Sequence, residues 1–258
     1  MHITESPGDT STLADELQRH LARARALREA AAGDAMASRA RTRLREWQAR
    51  RLAATHADLL DSTRYGRAAS FFLTELYGPK ECSARDAEIA RLLPMLRKAL
   101  PASALQALAM ALELDALSES LDASMVAALR AAGRADRIDG AAYAAAYRAV
   151  GQPPVRERQI VLIRAIGEAL ESLAGKPLLA STLHLMRGPA HLAGVGELHD
   201  FLDHGLAAFR HMGAAGEFLA HIETRERLLL TRLFAGDPDP FAAVAAYARP
   251  PLRKAPNQ

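Results

Sequence analysis

The chain has 258 residues, half of them apolar, with 33 basic and 30 acidic side chains and a formal net charge of +3. That length can bury a large core, and so slight a charge excess is not the footprint of a dedicated nucleic-acid binder. Its one cysteine, Cys82, excludes an intrachain disulfide and a thiolate metal cluster, and the most apolar stretch, Ala99 to Leu112, is too short to span a bilayer.

Alanine and leucine dominate the apolar residues, isoleucine and valine are scarce, and no alternating β-branched run is present. These propensities predict an all-α fold, an irregular multi-helix bundle of about ten to twelve helices with no sheet. The first residues lack the basic-then-apolar order of a secretory signal, so the expected compartment is the cytoplasm and no membrane is involved. A single helical domain is expected over 11–247, with a subdomain joint near 151–154 and flexible tails at 1–10 and 248–258.

In chain order, Ser11 is placed to cap a helix ending near Gly33. A second helix, about Asp34 to Leu60, carries Arg39, Arg41, Arg43, Arg45, Arg50 and Arg51. Those arginines read as a solvated face, with Leu44, Trp47 and Leu52 on the inner side. Next comes a short helix stopped by Gly78-Pro79. At 100° per residue Tyr65, Ala68, Ala69, Phe72, Leu73 and Leu76 share a face that Phe71 extends, and Glu75 falls inside that apolar arc. Ser83 to Asp86 resembles a capping box, and Pro94 must end or kink the helix it starts.

Pro101 opens a long helix to about Leu121, and Asp122 is read as the cap of another ending at Gly133. The long helix is apolar on two sides, with Leu105, Leu108 and Leu112 on one and Met110, Leu114, Leu117 and Leu121 on the other. It therefore lies inside the bundle, and its acids Glu113, Asp115, Glu119 and Asp122 should meet groups of neighbouring helices. Asp139 begins a helix containing Tyr143 and Tyr147, Pro153-Pro154 precedes one ending near Gly175, and Pro177 opens one that Gly188-Pro189 breaks. Two amphipathic helices follow, about Val195 to Met212 and Ala214 to Phe234, and a short tail helix comes after Gly236-Asp237-Pro238. Glu226 sits at the centre of the apolar arc of the second amphipathic helix, bordered by His221, and calls for a buried arginine partner. On the first, Asp200, His204 and His211 form a polar row in which Asp200 and His204 are one turn apart.

The segment Phe71-Phe72-Leu73-Thr74-Glu75-Leu76-Tyr77-Gly78-Pro79-Lys80 resembles the signature of a bacterial family named for an FFLEELYG-like motif. Weaker similarity extends through Trp47-Gln48, Glu113 to Ser118, Met186 to Ala190 and Ala208 to Met212; Thr74 stands where the family name has Glu. The resemblance implies a cytoplasmic bacterial protein and supplies neither an activity nor a cofactor.

No P-loop, Gly-x-Gly-x-x-Gly, His-Glu-x-x-His, Glu-x-x-His or Gly-x-Ser-x-Gly is present. The leading expectation is a non-catalytic protein that binds a protein partner or a small molecule, with Glu75, Tyr77, Glu113, His221 and Glu226 as ligand-binding or buried polar residues; self-association is left open. The alternative is a metal- or haem-dependent bundle enzyme in which Glu75, Glu113, His221 and Glu226 converge on an ion. A third, weaker, is a nucleic-acid accessory protein using the basic second helix. The sequence specifies no catalytic residue and no cofactor.

Overall fold

The computed structural model describes residues 7–76, 87–93 and 102–242, and among these every regular element is a helix. They are α1 (Pro7–Ala32), α2 (Ala35–Thr55), α3 (Ala57–Leu60), α4 (Gly66–Phe71) with a π-helical turn (Phe72–Leu76), α5 (residues 87–93), α6 (Ala102–Ala131), α7 (Gly140–Val150), α8 (Pro153–Ala174), α9 (Pro177–Leu192), α10 (Gly196–Met212) and α11 (Gly216–Ala235). The Gly78-Pro79 stop, Cys82, the Ser83–Asp86 box, Pro94, Pro101 and the tail helix lie outside the described residues. None of the described helices is long and apolar enough to cross a membrane.

Local chemistry explains most boundaries. Asp34 accepts from the Met36 and Ala37 amides at the head of α2, and Asp139 accepts from Ala142 N at the head of α7. Three boundaries differ from the sequence reading. The run read as one helix to Leu60 breaks at His56, whose φ of −118° and ψ of 25° leave the helical region and divide α2 from α3. α6 runs unbroken through Asp122, whose carboxylate accepts from Arg45 Nε and Gln48 Nε2, both at 3.1 Å, instead of capping backbone. α9 continues through Pro189, which stands in its last turn: the carbonyl freed by the missing amide belongs to exposed Leu185, where water can satisfy it.

α6 is the axis of the bundle, packed by α1, α2, α7 and α8; α8 in turn lies on α6, α10 and α11. Helices before and after the 151–154 turn thus pack against one another. Three apolar cores result. The largest joins Phe71, Phe72, Leu162, Ile166, Phe209 and Phe218; a second joins Leu44, Met125, Leu129, Tyr143, Tyr147 and Leu229; a third joins Leu17, Leu21, Ile89, Leu93, Leu112 and Leu198.

The two phenylalanines of the signature segment are structural. Phe72 packs between Phe209 and Phe218, with ring centroids 6.0 and 5.9 Å away, and Phe71 meets Phe201 at 5.4 Å. Gly205 of α10 passes directly beneath the Phe71 ring, where an added Cβ would stand 2.8 Å from Cζ. Thr74, by contrast, is exposed and returns its hydroxyl to Ser70 O. Phe72→Ala should therefore cost about 3–5 kcal/mol in urea unfolding. Thr74→Glu should stay within about 0.5 kcal/mol, as surface changes do.

Candidate functional site: a charged wall and its pocket

The acids of α6 are answered by arginines from three directions. Glu119, 2% exposed, receives Arg28 Nη1 at 2.7 Å, Arg41 Nη2 at 2.6 Å and Arg45 Nη2 at 2.5 Å. Arg28 also reaches Asp115 at 2.8 Å, and Arg45 joins Glu119 to Asp122. Burial favours the neutral acid, but three guanidinium charges outweigh it and hold Glu119 below the usual carboxylate range. Asp122 goes the other way: burial and the charge of Glu119 push it up, against Arg45 and Gln48.

The α2 arginines are thus not the solvated face the sequence suggested. At 100° per residue Arg41, Arg45 and Gln48 fall on the same side as Leu52, and Arg51 falls beside Leu44, so these side chains turn inward. Arg39, Arg43 and Arg50 point out.

A second set of ion pairs ties α11 to the α2–α3 corner. Glu226 accepts from Arg51 Nη1 at 2.5 Å, and the same carboxylate oxygen lies 3.1 Å from His56 Nε2, within hydrogen-bond reach of the tautomer protonated there. Next to it Arg225, 4% exposed, grips both oxygens of Asp58 at 2.6 and 2.7 Å and donates to Thr55 O. Burial alone would raise Glu226; the Arg51 charge and the His56 hydrogen bond bring it down to about 2.

Between these sets of ion pairs lies a pocket of about 170 Å³. Its polar lining includes Gln48, Arg51, Tyr143, Tyr147, Arg156 and Glu226; Leu108, Leu112, Leu198, Phe201 and Leu202 form the apolar side. Arg156 is 6% exposed. Its guanidinium lies 3.5 Å from the Tyr147 ring centroid and its Nε donates to Gly151 O at 3.3 Å, but Nη2 is buried without a hydrogen-bond partner. Among the described residues no carboxylate meets it. Arg51 Nε is likewise unpartnered. Burial pushes the Tyr147 phenol well up, so it remains a neutral donor at any ordinary pH. Trp47, the sole tryptophan, stacks on Tyr143 at 4.0 Å, with its neighbour forming part of the pocket wall.

The residues singled out in the sequence do not gather here. Glu226 lines the pocket; Glu113 is held by a bidentate Arg158 at 2.7 and 2.8 Å on the α6–α8 side; His221 is exposed. Glu75 lies in the π-helical turn, its side chain outside the described residues, as is Tyr77. Glu113, Glu226 and His221 therefore form no shared ion site. Asp200 pairs with His191 and His199 and not with His204, which is exposed, because His191 comes down from the end of α9. Arg156 and Arg225 were missed: each is one arginine among many, and only packing distinguishes them.

A family model described as a domain of unknown function (DUF8198) matches residues 27–240. The chain belongs to this family. The matched span starts just ahead of Arg28 and takes in the pairs on α6, the pocket and all of α11. No curated protein and no solved structure matches the chain.

The direction of the Glu226 shift fixes an acid sensitivity. A carboxyl lowered in the fold stabilises fully above its ordinary value of 4.5, and that contribution is lost as pH falls from there toward about 2. Glu226→Gln leaves Arg51 buried without its partner and should cost about 3–5 kcal/mol at neutral pH. Urea unfolding at stepped pH should also show a shallower decline across that window than in the unaltered protein.

Proposed function

We propose that this protein binds, without transforming it, a compact amphipathic anion: an aryl or branched-alkyl carboxylate. The observation that carries this reading is Arg156, a buried guanidinium with an unpartnered nitrogen on the wall of a pocket. A buried charge without a counter-charge costs several kcal/mol, and a ligand carboxylate would supply what the protein does not. The neighbouring positive groups are neutralised: Arg51 by Glu226, Arg45 by Glu119 and Asp122. Arg156 is therefore the cation left to a guest, with the Tyr147 ring stacked against it.

Size and polarity point the same way. An apolar cavity of about 150 Å³ admits benzene, so a pocket of about 170 Å³ suits one ring or a branched chain plus a carboxylate. Leu112, Leu198 and Leu202 offer the apolar body a dry surface.

Trp47 emission reports occupancy through Tyr143. Benzoate and phenylacetate should change it saturably, and the neutral isostere benzamide should bind about tenfold more weakly or worse, a difference of about 1.4 kcal/mol. Arg156→Met should abolish that preference. The same variant, unliganded, should be as stable as the original protein or more so by about 1–4 kcal/mol, because a buried charge gives way to a well-packed apolar side chain. Equal affinity for acid and amide would defeat the proposal.

A further inference from the structure

Away from the pocket, we infer that His191, His199 and Asp200 form a binding site for one divalent transition-metal ion of the zinc class. One ligand atom from each residue falls within 4.8 Å of the others. Asp200 Oδ1 is 3.1 Å from His191 Nε2 and 3.3 Å from His199 Nδ1. A tetrahedral ion bonded at about 2.0–2.1 Å sets its ligand atoms about 3.3 Å apart. The two imidazole–carboxylate pairs already stand near that separation, and the two imidazole nitrogens lie within 4.8 Å of each other.

The architecture fixes the donors from two helices. His191 is in the last turn of α9; His199 and Asp200 are in the first turns of α10. Gly196, the first residue of α10, makes the approach feasible, since a Cβ there would stand 2.4 Å from His191 Nδ1. His199 is 5% exposed and anchored, and the first turn of α10 is further held by Glu88, which accepts from Leu198 N at 2.8 Å. His191 and Asp200 have side chains 48% and 38% exposed, so an ion can enter and water can complete its coordination.

The donor set selects the ion. Two imidazole nitrogens and one carboxylate oxygen suit zinc, cobalt or nickel and not the oxygen-seeking magnesium and calcium. A bound ion would replace the imidazole–carboxylate hydrogen bonds and fasten α9 to α10 across the short 193–195 link. Arg187, exposed one turn before His191, is a neighbouring cation that tempers the affinity without occupying a donor.

The test uses the full chain freed of any histidine tag. Calorimetric titration with zinc chloride should give one ion per chain, and cobalt(II) should develop the visible d–d absorption of a low-coordinate site. Zinc should raise the melting temperature. His191→Ala and Asp200→Asn, both at accessible side chains, should each weaken zinc by more than the about 10- to 100-fold that losing an outer-shell contact costs. His204→Ala should bind as the unaltered protein does. Circular dichroism establishes that each variant is folded. Absence of zinc uptake by the unaltered chain, or uptake that persists undiminished in both folded variants, would overturn the site.

Discussion

The Glu119 carboxylate binds three helices into one register, and the rest of the molecule is arranged around it. Arg28 of α1 and Arg41 and Arg45 of α2 reach it on the central helix α6. Asp115 and Asp122 lie on the same helix, so among the described residues three acids face three guanidiniums and their formal charges balance. A balanced cluster of this kind contributes less to stability than to uniqueness, because any slip of α1 or α2 along α6 would strand a buried charge. Arginine suits the role where lysine would not: one planar fork can serve two carboxylates at once, as Arg28 and Arg45 do.

Charge balance also explains why one corner of the interior stands apart. Arg51 with Glu226 and Arg225 with Asp58 close the seam between α2, α3 and α11 pair by pair. Among the described residues, subtracting these pairs and the Glu119 cluster from the buried arginines leaves Arg156, at the start of α8 and over Tyr147. Stability alone would favour an apolar residue there. Among the described residues the guanidiniums of Arg28, Arg51 and Arg225 each meet a carboxylate, whereas Arg156 Nη2 stays buried without a hydrogen-bond partner.

Helical content was legible from alanine and leucine, and the turns at Asp34 and Asp139 from their capping chemistry. Asp122 was not, because an aspartate before a helical run offers its oxygens equally to backbone amides or to a guanidinium from a distant helix. Only tertiary packing decides, and here Arg45 and Gln48 of α2 take them. The inward arginines did carry a signal: Arg41, Arg45 and Gln48 recur at helical spacing on the side of Leu52, but the density of arginine in the segment masked it. Glu226 was legible because a single acid interrupts an otherwise apolar arc. The His191–Asp200 contact was not, since it depends on how α9 turns into α10 after a proline that the sequence suggests should have ended the helix.

The close passage of α10 over α4 has an evolutionary consequence. Gly205 and the ring of Phe71 occupy complementary volumes, one existing only because the other is absent. Neither position is free to drift alone: a methyl group acquired at 205 demands a smaller residue at 71, and a smaller residue at 71 opens a void that a bare backbone cannot fill. Among descendants of this fold the two sites should covary as a pair, trading bulk from one helix to the other while their sum stays constant.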